Sequence, residues 1–159
     1  MFVWLTKSTL GRMTATFFLS MLPVTELRLG LPFGISLELK YWQALLAAVL
    51  GNLLPAPLII LFIRQIFAWL RQHSPRMDAW IRRQEEKART KGKKVERYGL
   101  LGLCLLVAIP LPGTGVWTGS LVAALQELPM KKALPAIAVG VLIAAAIMSA
   151  MTFGVIHLL

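Results

Sequence analysis

Two ionisable residues, Glu26 and Arg28, stand two positions apart in an otherwise apolar stretch, PVTELRLGLPFG. Charges in a lipid or apolar setting are costly unless they are paired or used. Arg28 can hold an anionic group such as phosphate, which suits a guanidinium. Glu26 can take up and release a proton, because low-dielectric surroundings penalise its charged form. A mutual or interhelical ion pair that only locks the hairpin is the alternative. Thr25 belongs to the same segment. A second segment, AIPLPGTGVWTG, offers Pro112, Gly113, Thr114, Gly115 and Trp117. The glycines and Thr114 could present amides and hydroxyls to a ligand, or could serve only close helix packing, where small residues let backbones approach. Asn52, followed by LLPAP, is an amide beside a proline kink that either lines a path or satisfies freed backbone groups.

Enzyme chemistry is not suggested. There is no Ser/His/Asp or Cys/His set and no phosphate-cradling glycine loop, and His73 and His157 stand far apart. Cys104 is the single cysteine, so neither a disulfide framework nor a thiolate metal site can be built within one chain. We expect no cofactor and no metal.

The elements that must position these residues belong to a membrane. Of 159 residues, 57% are hydrophobic, well above a soluble domain. Tyr41 to Leu70 and Lys131 to Leu158 are long enough for a hydrocarbon core of roughly 30 Å. Trp42 and Trp69 sit at the ends of the first, and Pro55 and Pro57 should kink it. Thr9 to Leu39 is too interrupted by Arg12, Pro23, Glu26, Arg28, Pro32 and Glu38 for one straight span. The same holds for Leu100 to Leu128, with its Pro and Gly cluster. A re-entrant helical hairpin accommodates either stretch. No cleavable signal is evident.

The net charge of +10 does not suggest nucleic acid, because ten of the seventeen Lys and Arg fall between Arg71 and Arg97. A basic block flanked by membrane segments is retained in the cytoplasm. Its opening, SPRMDAW, predicts Ser74 as an N-cap and Pro75 as the first helical residue, with breaks at Gly92 and Gly99. The block reads as a polar helix or helical pair outside the bilayer, able to meet anionic lipid headgroups.

Leu22 to Leu54 laid over Leu111 to Ile143, a shift of 89 without gaps, gives eleven identities in 33 positions. Among them are Pro23/Pro112, Thr25/Thr114, Gly30/Gly119, Glu38/Glu127 and Gly51/Gly140. With residues 71–98 cytoplasmic, a second hairpin that turns back at LPGTG keeps Lys131 and Lys132 on the cytoplasmic side and makes the repeats inverted. The fold expected is an all-α integral membrane protein, one membrane domain over 1–159. Repeat 1 covers about 9–70, the basic linker 71–98 and repeat 2 about 99–158, each repeat being a re-entrant hairpin followed by a long transmembrane helix. The hairpin tips would meet near the midplane, as in many transporter sites. Glu38 and Glu127, near the hairpin exits, read as having an interfacial structural role, such as facing the next helix's N-terminus.

In PVTELRLGLPFG, GNLLPAP and AIPLPGTGVWTG, taken in order, the chain resembles the putative small multidrug export protein family over Leu22 to Gly154. That family is distantly similar to the DedA superfamily, which includes the SNARE-associated-domain proteins. The resemblance implies paired re-entrant hairpins and movement of lipids, including polyprenyl phosphate carriers, or proton-linked transport. The tip residues carried over are Glu26 and Arg28 and the segment Pro110 to Gly119. The second tip departs from the DedA pattern by having Gly115 and Trp117, and no arginine, opposite Glu26 and Arg28.

The expected function is a proton-coupled transporter or lipid flippase in the cytoplasmic (inner) membrane of a prokaryote, multi-pass, taking an anionic lipid or small amphipathic solute. The alternatives are a small-molecule or drug exporter, a passive channel-like module, or an accessory protein. Membrane lipids are the expected partners, with a homodimer preferred because 159 residues make a thin wall. In a Cys104→Ala background, Lys131→Cys should react with an impermeant maleimide only from the cytoplasmic side. Labelling from outside would overturn the inverted arrangement.

Overall fold

The computed structural model describes residues 8–73, 75–111 and 113–158, and within them the chain forms helices and short turns. Seven helices follow in order among these residues. They are α1 (Thr9–Met21), α2 (Glu26–Ser36), α3 (Tyr41–Leu53), α4 (Pro55–His73), α5 (Pro75–Ala108), α6 (Val116–Leu125) and α7 (Met130–Leu158). Ser8 caps α1 by accepting from the Gly11 amide at 3.1 Å. α3 and α4 form one rod interrupted at Leu54, where Pro55 and Pro57 supply no amide hydrogens to the helical ladder. The segments 41–72 and 130–152 are each long and apolar enough to cross a bilayer, with a mean hydropathy of 2.3 over an 18-residue window in each. Ser74, the expected N-cap, lies outside the described residues.

The basic block departs from expectation in two ways. Gly92 does not break the helix, and α5 continues from Pro75 through Ala108 with a single kink at Gly99, whose φ of 57° and ψ of −135° are non-helical. Nor does the block stand apart from the apolar helices. Ile81, Ala88 and Val95 are buried, and Ala88 and Val95 share a core with Ala56, Leu103, Val116, Val122, Ile137 and Val141. Gly92 lies on the same face and is held by Gln126, whose Nε2 donates to the Gly92 carbonyl at 2.9 Å. The spacing 81, 88, 92, 95 is one helical stripe.

The two sequence repeats share their local backbone. Each ends its second hairpin helix on a glutamate in the left-handed region, Glu38 with φ 60° and Glu127 with φ 56°. The turns are closed in the same way: Leu39 N donates to Gly34 O at 3.2 Å and Leu128 N to Ala123 O at 2.9 Å, the pattern that satisfies orphan carbonyls at a helix end. The carboxylates meet arginines, Arg12 at 3.4 Å and Arg64 at 2.7 Å. The matched glycines also do matched work. Gly30 and Gly119 let the second arm of each hairpin close on the first, against Ser20 and Val107, and Gly51 and Gly140 bring each long helix onto a first-arm carbonyl, Phe17 O and Cys104 O.

Contacts along the rod give the directions. Arg12 reaches Glu38 and Phe17 lies on Gly51, so α1 runs with α3 and its turn points to the middle of the rod. Beside α4, Trp117, Thr118 and Leu121 lie near Ile59 and Ile63, and Glu127 pairs with Arg64 further on, so α6 runs with α4 and its own turn also points to the middle. α7 returns the other way, and Tyr41 at the start of the rod bonds Ser149 near its end. The outer face of the rod exposes Leu46, Leu50, Leu54, Leu58, Leu61, Phe62, Ile66 and Trp69. Leaving eight such half-exposed side chains in water would forgo on the order of 10 kcal/mol, as much as the net stability of an ordinary domain, roughly 5–15 kcal/mol. Lipid is the solvent that removes this penalty.

A Cβ at Gly51 would lie 2.2 Å from the Phe17 carbonyl oxygen, whereas one at Gly154 meets nothing within 4 Å. Gly51→Ala should therefore cost about 1–3 kcal/mol, read as a lower melting temperature in detergent. Gly154→Ala should leave the melt unchanged or slightly raised.

Candidate functional site

The turns of the two hairpins meet at mid-rod, and that contact is where the predicted residues gather. Thr25 and Thr114, equivalent in the repeat, each tie their own turn to the end of the preceding arm. The Thr25 hydroxyl donates to Leu19 O, and the Thr114 hydroxyl lies 2.7 Å from Ile109 O and from Leu111 O. Thr25 is thereby a turn residue whose hydroxyl faces its own hairpin, whereas Thr114 also faces the other one. Arg28 Nη2 donates to both the carbonyl and the hydroxyl of Thr114 at 3.0 Å. Arg28 thus bridges the tips and does not simply lock its own turn.

Glu26 opens α2 with φ 44°, a left-handed conformation that is uncommon outside glycine. Its repeat equivalent, Gly115, has φ 116° and is the N-cap of α6. The Glu26 carboxylate is seated at the amide end of α6, where Trp117 N donates to Oε1 at 3.4 Å. A helix N-terminus favours an anion through its free N–H groups and its dipole. A Cβ at Gly115 would fall 1.9 Å from Glu26 Oε2, so position 115 must be glycine for the carboxylate to sit there. Among the described residues, Glu26 is the one ionisable side chain that is buried, at 5% exposure. The Trp117 indole Nε1 donates to Met21 O at 3.0 Å, a fourth bond across the tips.

Beside this junction lies an apolar cavity of about 320 Å3, bordered by Pro23 of the first tip, Ile59 and Phe67 of α4, Trp117 and Leu121 of α6, and Trp80 of the basic helix. Its size is at the lower end of small-molecule sites, roughly 300–1,000 Å3. Trp117 belongs to both places, its backbone amide on Glu26 and its ring on the cavity. A larger hollow of about 920 Å3 lies on the other side of α6, between Arg71, Arg89, Val122 and Gln126, and none of the predicted site residues borders it.

Glu26, Arg28, Thr114, Gly115 and Trp117 are therefore brought together. Gly113 sits in the same turn with φ 78°, and Pro112 lies outside the described residues. Asn52 is buried at 4% near the end of α3, one turn before the kink, and its Oδ1 has no hydrogen-bond partner. Nothing ties it directly to the tips. Two residues at the junction are absent from the sequence expectation, Trp80 and Lys91, both from the basic helix. Lys91 Nζ donates to Gly113 O. The signal for both was the apolar stripe 81, 88, 92, 95, obscured by the charges around it.

The sequence model of a family described as "Putative small multi-drug export protein" matches residues 26–147 of the 159. The span begins at Glu26, leaving Pro23 and Thr25 of the first tip outside, and takes in Arg28, the second tip, Asn52 and the basic helix. No curated protein and no solved structure matches the chain.

If the carboxylate and the missing Cβ share one space, Gly115→Ala should lower the melting temperature more than Gly113→Ala, whose Cβ would meet only the movable end of Lys91. Glu26→Ala combined with Gly115→Ala should recover part of the loss, since the clash needs both. Strict additivity of the two changes in thermal melts would count against the shared space.

Proposed function

Because the chain belongs to the Putative small multi-drug export protein family, we propose that it moves a small anionic amphipathic solute across a membrane by way of the junction of the two tips. That it is a membrane protein with a transport role follows from the family and the two long apolar helices. The route and the chemistry are our reading. The observation that carries it is the placement of Glu26, a buried carboxylate on the amide end of α6, beside a guanidinium and an aromatic-walled cavity.

Arg28 receives the negative head of the solute and Trp80 and Trp117 receive its apolar part. Ionised Glu26 opposes the Arg28 charge at short range. Protonated Glu26 leaves Arg28 unopposed, so a proton and an anion load together and leave together. The bonds across the tips, Arg28 to Thr114 and Trp117 to Glu26 and Met21, are those that would break on one side or the other as access alternates. Support for such a scheme comes from the hairpins, whose turns face each other from opposite directions, as in re-entrant transporter repeats of inverted topology. Turn backbone at that depth needs partners for its carbonyls, and those of Leu19, Ile109, Gly113 and Thr114 each accept from a side chain. An anionic lipid satisfies the same head-group chemistry, and the flippase reading differs in that the tail stays in the bilayer.

Efflux of a fluorescent alkyl phosphate from proteoliposomes tests this. Acid on the substrate side should speed efflux through the wild-type protein, and Glu26→Gln should abolish that pH response while keeping the melting temperature. Arg28→Ala should lower flux about tenfold or more, the loss of a charge-assisted hydrogen bond to the head group. Unchanged, pH-responsive flux in both variants would sink the proposal. A labelled phosphatidylglycerol in the same vesicles, read by dithionite bleaching, separates the lipid reading: faster exchange of the lipid than of the alkyl phosphate would favour it.

A further inference from the structure

The second tip carries no cation in its own sequence, yet two cations meet there. Arg28 arrives from the first hairpin and bonds Thr114, and Lys91 arrives from the basic helix and bonds the preceding carbonyl, that of Gly113. Residues 63 positions apart in the chain, counting from 28 to 91, thus converge on two consecutive peptide groups. Lys91 is placed there by the buried stripe of its helix, with Ala88 three residues before it and Val95 four after it packed in the core. Its ammonium lies below the ordinary lysine range, first through partial burial and then through the charges of Lys87 and Arg28.

Like charges drawn into a partly buried place repel, and the two carbonyls offset only part of that cost. Both cations keep donors to spare. A guanidinium has five N–H groups and an ammonium three, and these bonds use one nitrogen of Arg28 and one N–H of Lys91. The same helix places Trp80 and Gln84 on the wall of the apolar cavity. Its solvent side carries Arg83, Glu86, Lys87 and Thr90 around an open groove that includes Lys91, an approach whose three cations outnumber its one carboxylate and would concentrate anions.

We infer that Lys91 and Arg28 form a two-cation clamp for a phosphate monoester group, and that the basic helix is a wall of the binding site and not a solvated connector. The clamp rests on the reading of the tip junction as the binding site, which it deepens by naming the head group and a second holder for it. A phosphate monoester offers three oxygens and up to two charges, enough to meet both cations while they remain on their carbonyls. A sulfate ester, with one charge, gains less from the second cation. The phosphate could be the head of an amphiphile or a free anion, and the cavity beside the clamp favours the amphiphile.

The test uses the full chain in detergent with hexyl phosphate, hexyl sulfate and inorganic phosphate as probes, read by tryptophan fluorescence. Hexyl phosphate should bind more tightly than hexyl sulfate. Lys91→Gln should weaken hexyl phosphate about tenfold and hexyl sulfate less, and Lys91→Arg should restore most of the loss. Displacement of hexyl phosphate by millimolar inorganic phosphate would support the clamp with free phosphate as its ligand. Failure to displace it would support the clamp with an amphiphile as its ligand. Should Lys91→Gln fail to fold, the wild-type protein still gives an answer, because hexyl phosphate should protect Lys91 from acetylation and leave Lys132 reactive. Wild-type affinity in Lys91→Gln with binding lost in Arg28→Gln, or no protection of Lys91, would overturn the clamp while leaving the tip site standing. Binding unchanged in Arg28→Gln as well would remove the tip site itself.

Discussion

The Glu26 carboxylate occupies, at the amide end of α6, the space that any side chain at position 115 would need. From that exclusion a good deal of the middle of the molecule follows. Position 115 must be glycine, and with φ 116° it sets the angle at which the second turn enters α6. The turn then offers its Thr114 carbonyl to Arg28, and the Trp117 ring is set against Met21 and the cavity. A carboxylate withdrawn from solvent needs donors or a positive field, and a helix N-terminus provides both without spending another side chain. The left-handed backbone at Glu26 is strain that these surrounding contacts must hold in place.

Away from the tips the two halves are alike in a way that explains which identities a repeat of this kind keeps. Glycine recurs where one helix must touch another's backbone, glutamate where a helix ends in the left-handed region and an arginine waits nearby, and threonine where a turn is tied to the arm before it. At the tips the halves part company. The first supplies the ions and the second supplies the amide end, the carbonyls and the aromatic ring. One carboxylate can be buried on a partner's helix terminus; two facing carboxylates would repel in the same low-dielectric space.

The basic helix alters the picture of this asymmetry. With its charge density it reads as a solvated connector, yet one face is apolar at helical spacing and lies in the core, and Lys91 beside that face reaches the second tip. A lysine can bury its methylenes and keep its ammonium at a polar edge, so a high count of cations does not by itself place a helix in water.

The sequence by itself determined the all-helical class, the two long apolar helices, the kink at Pro55 and Pro57, the break at Gly99 and the membership of Glu26, Arg28, Thr114, Gly115 and Trp117 in two related turns. These are matters of composition, helical period and repeat, which local chemistry dictates. The tertiary structure decided what those residues touch. It gave Arg28 a partner 86 positions away, put Glu26 on the end of α6, turned Thr25 inward, and brought Trp80 and Lys91 to the junction. No spacing rule reaches across such separations, because which faces meet depends on packing between helices, and packing is settled only when glycines, turns and the buried charge are all satisfied together.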